Sequence, residues 1–392
     1  MKIFDECRRS DDRCGLFHEP HFHYLNSSSR DDAATIRDTM EHWFANYPLS
    51  QRQDLRGRLR NKNNQQFASA FFELLLHQMF LHLGFEVHIH PEVSGKPTRP
   101  DFLVFQDRIA QFYLEAFVPH DSSNWENVPL VNKVHDELNK INSPFFLLLC
   151  TYSGRPTEMC QMSVVRREIE DWLARLSPEA VANQIATAAD QTRVQLPVHE
   201  VDIKGMVVKF EAWPRPKSAD RNLGARPICR WTDGLVKSVD TKSAIRKVIE
   251  EKVRKYGCLE YPLVIAMNDL NLFSGIDQTV DALFGSIQIE ATSLPTGEIH
   301  RRYTRAKDGI WKPTKHAALS ALMLFSTVSP WNLNGHPTLI HLPFCQHPLT
   351  AQLPIRRTSY REVAGQGVPV GDENEVAKSL KEILNLRHSW PN

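Results

Sequence analysis

A mixed α/β fold, with helices laid against a sheet of parallel and antiparallel strands, is what the sequence predicts, on three observations. Three short runs, FEVHIHPEV, PDFLVF and IAQFYLEAFV, follow one another with turn residues between them, as an antiparallel meander does. Two continuous apolar runs, SPFFLLLCTY and YPLVIAMND, each follow a lysine-bearing helical stretch, the pattern of a buried strand reached by a crossover. Between these runs the apolar residues recur at helical spacing.

The 392 residues suffice for one large or two ordinary domains. With 42 % hydrophobic and 24 % charged residues the chain should build a real core. A net charge of +1 excludes any argument for nucleic-acid binding from a global basic excess, so such a surface has to be local. No apolar run is long enough to span a membrane, and the start, MKIFDECRRSDD, is too charged for a secretory signal. The expected location is the cytoplasm, away from membranes. Seven cysteines with no CxxC pair read as small buried apolar groups in a reducing compartment. Cys7 and Cys14, followed by His18, His21 and His23, match no compact zinc module, and the segment reads as a polar N-terminal stretch.

Residues 30 to 46 read as a first helix, with Ile36, Met40, Trp43 and Phe44 on one face and Pro48 beyond its end. The stretch QRQDLRGRLRNKNN places Arg56, Arg58, Arg60 and Lys62 around Leu55 and Leu59. It is read as a short helix with a wet basic face, or as a stripe that contacts phosphates. QQFASAFFELLLHQMFLHL, residues 65 to 83, is apolar almost all round and should be buried on most sides, with Gly84 capping it. Glu73 and His77 share a face of this helix. The meander follows, with Asp107 and Arg108 turning its second strand into its third. A helix over about 128 to 141 is expected to feed SPFFLLLCTY into the parallel interior of the same sheet. A helix to about residue 176 comes next, then a loose connection over 177 to 197. Beyond it lie a hairpin in VHEVDIKGMVVKFEAW, a Pro/Gly-rich loop, and a helix over 241 to 256 leading into YPLVIAMND. KVHDELNKINSPFFLLLC and KVIEEKVRKYGCLEYPLVIAMN echo each other and are expected to extend one sheet as two α/β units. A short helix over 275 to 285, a polar hairpin near Gly297, the strand ALMLFSTV, a Pro-rich stretch over 330 to 354 and a charged helix in DENEVAKSLKEILNL complete the chain.

Three acids fall within the first part of this pattern. Glu73 lies inside an apolar helix, where a charge is costly without a partner. Asp101 follows Pro100 at a strand start, and Glu115 sits inside the apolar run YLEAFV. Hard divalent cations take oxygen ligands and are held through few carboxylates, so converging acids on a helix and two adjacent strands suit Mg²⁺.

The segment from Glu73 to Leu149 resembles the core of the PD-(D/E)XK, or restriction-endonuclease-like, nuclease superfamily. Glu73 matches the helix acid, Pro100–Asp101 the PD, and Glu115 the acid of the last motif. The resemblance covers about a fifth of the chain, and its motifs are short. It implies a restriction-endonuclease-like mixed sheet flanked by helices, elaborated by a C-terminal α/β region. It also implies Mg²⁺-dependent phosphodiester hydrolysis (Mn²⁺ the alternative ion) in a bacterial-type protein, on DNA ahead of RNA. Asp101 and Glu115 would be ligands, and Glu73 an auxiliary one. The lysine two places after Glu115 is absent, because Phe117 stands there. Lys133, near His135 and Asn132 on the following helix, is the preferred substitute, and Lys96 in the loop before Pro100 the other. The alternative is a catalytically inactive module of this fold that binds nucleic acid or a protein partner, and a homo-oligomer is left open. An unrelated enzyme with its site in the C-terminal half is the third reading.

Domains are expected at 1–62 (N-terminal helical segment), 63–176 (nuclease-like core) and 177–392 (C-terminal α/β region). Walker, Rossmann, Gly-x-Ser-x-Gly and HExxH motifs are absent. His336, His341 and His347 read as loop-satisfying residues, Trp311 and Trp331 as packing. Lys252, Arg254 and Lys255 form a basic helix end before Tyr256 and Gly257 that favours the helix dipole, with phosphate contact as the second reading.

Overall fold

A computed structural model of the chain describes residues 1–95, 97–119, 128–187, 195–215, 226–233, 241–257, 259–270, 276–293, 299–310, 317–342, 345–363, 366–372 and 377–391. The chain divides into two compact units. The first comprises Met1–Cys14, Pro20–His120 and Asp240–Asn392, and the second Gly15–Glu19 with Asp121–Val239. The boundaries expected at 62/63 and 176/177 are not where the contacts part. The second unit is inserted into the first.

The first unit opens with four helices, α1 (His21–Ser27), α2 (Asp31–Asn46), α3 (Arg52–Leu59) and α4 (Asn64–His82). Asn63 caps α4 by accepting from the Gln65 N–H at 2.8 Å. Twelve residues of α4, from Phe67 to Phe80, are buried, as its nearly all-round apolar sequence requires. The meander follows as β1 (Glu86–Ile89), β2 (Phe102–Gln106) and β3 (Ile109–Phe117). Asp107 and Arg108 make its tight turn with both φ positive, at 52° and 63°. That geometry matches the right-handed twist of the flanking strands.

The chain then leaves for the second unit. There α5 (Val128–Leu138), β4 (Phe146–Gly154), α6 (Met162–Ala174), α7 (Pro178–Thr187), β5 (Val198–Ile203), β6 (Met206–Pro214) and β7 (Ile228–Asp233) form a four-stranded sheet of order β5-β6-β4-β7 with its own core. Two expectations are corrected here. SPFFLLLCTY is β4, antiparallel to β6 and parallel to β7, and is not a strand of the meander's sheet. The connection over 177 to 197 contains a helix, α7. Residues 15–19 fasten onto α5, where the Phe17 and His18 N–H groups donate to the Asp136 carboxylate at 2.8 and 3.0 Å. His18 Nδ1 lies 2.6 Å from the same carboxylate, so this histidine is spent on an acid and not on a metal.

Back in the first unit come α8 (Thr241–Tyr256), β8 (Leu263–Asp269), α9 (Ile276–Phe284), β9 (Ile287–Ser293), β10 (Ile299–Arg305), β11 (Leu319–Ser326), β12 (Thr338–His341), β13 (Arg356–Val363), β14 (Gln366–Asp372) and α10 (Leu380–Ile383). β9 and β10 make a separate ribbon. The main sheet is eight-stranded and mixed, of order β1-β2-β3-β8-β11-β12-β13-β14, with β3, β8 and β11 mutually parallel. The β13–β14 hairpin and the strand inside the Pro-rich stretch were not foreseen. The last helix is short, set by a Ser379–Glu382 capping box.

Strand alternation decides which helices cover which face. Phe112, Leu114, Val264, Ala266, Ala321 and Met323 pack with α1–α4 and α10. Their neighbours Tyr113, Leu263, Ile265, Met267, Leu322 and Leu324 pack with α8 and α9. The unit is therefore a mixed sheet flanked by helices on both sides. Among the described residues no helix is long and apolar enough to cross a membrane.

Candidate functional site

Glu115 lies on β3 with the parity of Tyr113, so its side chain points to the α8 side of the sheet, and it is 1 % exposed. Burial of a carboxylate at this depth demands compensation. α8 supplies it. Ile245, Ile249, Val253 and Tyr256 form its buried stripe, and Lys252, Lys255 and Tyr256 fall at i, i+3 and i+4. Lys252 Nζ lies 2.5 Å from Glu115 Oε1, and the Tyr256 hydroxyl 2.6 Å from Oε2. Lys255 Nζ stands 3.6 Å from Oε1. Burial first, then the Glu115 charge, pushes the Tyr256 phenol up, which keeps it a donor.

Asp101 stands at the mouth of β2. Pro100 disfavours helix for Arg99 and so starts the extended run. The Phe102–Leu114 register, carried one residue further, sets Asp101 opposite Glu115. Among the described residues its carboxylate accepts one hydrogen bond, from the Ala116 N–H at 2.7 Å. Burial, and then the charges of Glu115 and Glu73, push Asp101 up to about 8, although the Ala116 N–H and Lys252 pull the other way. An acid held this far up lacks a compensating cation of its own.

Glu73 arrives from the opposite side, on α4. Both its oxygens are taken by Arg58, whose Nη1 and Nη2 lie at 2.6 Å each, a bidentate fork. Arg58 also reaches Asp54 at 2.9 Å. The three acids thus influence one another, but Glu73 and Glu115 belong to opposite faces of the sheet, each with its own cation. Among the described residues no group of three or more His, Cys, Asp or Glu is disposed to hold a metal ion. The expected three-acid cradle is not seen as such, and the pair Asp101–Glu115 remains.

The other expected site residues fall elsewhere. Lys133 is exposed on α5, in the second unit. The crossover that continues the meander is α8–β8. Asn132 there donates to the Phe17 carbonyl at 3.2 Å, and His135 is sandwiched between Phe17 and Trp231. Lys96 lies outside the described residues. The basic stretch acts as a set of ties. Arg56 donates to the Lys2 carbonyl at 2.6 Å, and Arg60 holds Asp5 at 2.9 Å and covers the Phe22 ring. Lys62 alone of the four is exposed and outside such contacts among the described residues. Of the N-terminal histidines, His21 packs edge-on against Phe67 and Trp331, and burial lowers it to about 4.

Sequence reasoning gives Lys252 a helix-dipole role with phosphate contact second, and misses both its pairing with Glu115 and the part of Tyr256. The signal was present in the second copy of the echoed helix–strand pattern, KVIEEKVRKYGCLEYPLVIAMN. Nothing in either copy says which of the two strands pairs with β3.

No protein-family model, no curated protein and no solved structure matches the chain.

Proposed function

We propose that the chain is a metal-dependent nuclease of the restriction-endonuclease-like (PD-(D/E)XK) kind, in which the lysine of the last motif has moved from β3 to α8. The observation that carries this reading is the 2.5 Å contact of Lys252 Nζ with Glu115, opposite Asp101. It is supported by the order α4, β1, β2, β3, α8, β8: a helix, a meander, a helix and a strand parallel to the last of the meander. With residues 121–239 set aside as an insertion, that is the element order the resemblance implies.

Two buried hard-oxygen acids, one of them pushed up by burial and by its acid neighbours, fit a small divalent cation, which is commonly held through one or two carboxylates. Glu73 does not fit as a ligand while Arg58 occupies both its oxygens. When bound, Mg²⁺ or Mn²⁺ supplies charge neutralisation and polarisation of a phosphoryl group. Asp101 and Glu115 hold and orient that charge from adjacent strands. Lys252, fixed on a helix, orients the attacking water and stabilises charge that develops on the phosphate. DNA is proposed ahead of RNA as the substrate.

The test uses the full chain with duplex DNA, single-stranded DNA and RNA, in Mg²⁺, Mn²⁺ or EDTA. Cleavage that needs the ion, and that Asp101→Asn and Lys252→Met both abolish without loss of the circular-dichroism spectrum, is the expected result. Full cleavage by Asp101→Asn would end the assignment.

The Arg58 fork on Glu73 and the double grip on Glu115 favour one other reading, an inactive module of the same fold that binds nucleic acid or a protein partner. It expects no ion-induced rise in melting temperature and no cleavage of any substrate.

A further inference from the structure

We propose that Tyr256 is a positioning residue for Glu115: its hydroxyl fixes Oε2 of the carboxylate, so that Oε1 is the oxygen presented to a divalent cation. This rests on the nuclease reading and deepens it. Tyr256 is 0 % exposed. Its hydroxyl lies 2.6 Å from Glu115 Oε2, 2.6 Å from Lys255 Nζ and 3.1 Å from the Arg99 carbonyl. An ammonium can only donate, so Lys255 donates a hydrogen bond to the phenol oxygen. The phenol has one proton of its own, and the Arg99 carbonyl and the Glu115 carboxylate both lie in its reach. The carboxylate is the closer and the charged one, and takes it. The result is a directed chain from Lys255 through Tyr256 to Glu115.

The two oxygens of Glu115 then have unequal partners. Oε2 faces a rigid ring locked in the core beside Ile245, Ile249 and Val253. Oε1 faces two ammonium groups on flexible stems, Lys252 at 2.5 Å and 25 % exposed, and Lys255 at 3.6 Å and 38 % exposed. Lys252 swings away by rotating its own side chain. Tyr256 cannot leave without opening the cluster around it. Oε1 is accordingly the oxygen that exchanges partners, and Tyr256 keeps the carboxylate from turning while it does so.

The experiment titrates MnCl₂ into the full chain without nucleic acid, by calorimetry and by melting temperature, for wild type, Tyr256→Phe, Lys255→Gln and Lys255→Met. Loss of a hydrogen bond that orients a ligand weakens metal affinity about 10- to 100-fold. Tyr256→Phe is expected to bind Mn²⁺ at least about tenfold more weakly. Lys255→Gln and Lys255→Met both lose the charge 3.6 Å from Oε1, and Lys255→Met, which keeps no donor for the phenol oxygen, is expected to bind more weakly than Lys255→Gln. Saturating Mn²⁺ should restore cleavage by Tyr256→Phe, which a general structural lesion would not allow. Unchanged Mn²⁺ affinity in Tyr256→Phe overturns the proposal, and should that variant fail to fold, equal affinity in Lys255→Met and Lys255→Gln does so. If the wild-type chain itself takes up no Mn²⁺, the nuclease reading falls first and this proposal with it.

Discussion

Lys252 and Glu115 meet at 2.5 Å across 137 positions of chain. The acid is buried on a central strand and the lysine is only three-quarters covered, so the acid depends on the pair more than the lysine does. Removing one partner of a buried pair costs about 3–5 kcal/mol. Partial exposure of Lys252, and the remaining Tyr256 bond, bring the figure for Lys252→Met to about 2–3 kcal/mol. Urea unfolding should show that loss, and an unshifted midpoint would mean the contact stabilises nothing.

Phe117 has the parity of Glu115 and packs on the α8 side of the sheet. A lysine there would approach the same carboxylate from the strand. The double variant Lys252→Met/Phe117→Lys should regain part of the cleavage lost in Lys252→Met, while losing about 1–2 kcal/mol of stability with the buried ring. A folded double variant with no more activity than the single one would show that position 117 is not equivalent.

The Arg58–Glu73 fork makes a different prediction for the helix acid. Glu73→Gln should leave Mn²⁺ affinity within about threefold of wild type, whereas Asp101→Asn should reduce it by 10-fold or more, as expected for a lost ligand against a distant neutralised charge. Arg58→Ala strands a buried carboxylate and should cost about 2–4 kcal/mol. Calorimetric titration separates the two acids, and equal losses from both would restore Glu73 to the ligand set.

Asp101 sets a pH dependence whose sign can be worked out. Its value in the folded chain, about 8, lies above the ordinary 3.8 of the unfolded chain. Between those limits the folded chain holds a proton that the unfolded chain has released, so stability falls as pH rises. Burial sets the value first, then the charges of Glu115 and Glu73, against the Ala116 N–H and Lys252. Asp101→Asn removes the term. Without metal, the variant's advantage in melting temperature should widen from about pH 5 to about pH 8. A gap that stays constant, or narrows, over that range would contradict the burial argument.

The sequence made α4, the three meander strands and the Asp107–Arg108 turn legible, because each carries a local signal: an all-round apolar helix, alternation, a two-residue connection. The partner of β3 was not legible. SPFFLLLCTY and YPLVIAMND are both apolar runs behind a lysine-bearing helix, and pairing across an insertion leaves no mark on either. That ambiguity is why Lys133 was preferred and Lys252 passed over. Arg58 was read as solvent-facing or phosphate-facing because nothing in QRQDLRGRLRNKNN announces the acid it forks. Glu73, in turn, was read as a ligand because a buried carboxylate looks the same whether an arginine or a metal neutralises it.

The insertion of residues 121–239 also governs the birth order of the protein. A ribosome adding about 5–20 residues per second needs about 7 to 27 s to advance the 137 positions from Glu115 to Lys252. Throughout that interval the nascent meander has neither the parallel neighbour β8 nor the lysine that balances its acid. The Glu115 carboxylate is paired only once translation has passed α8, so the completed site belongs to the full chain alone.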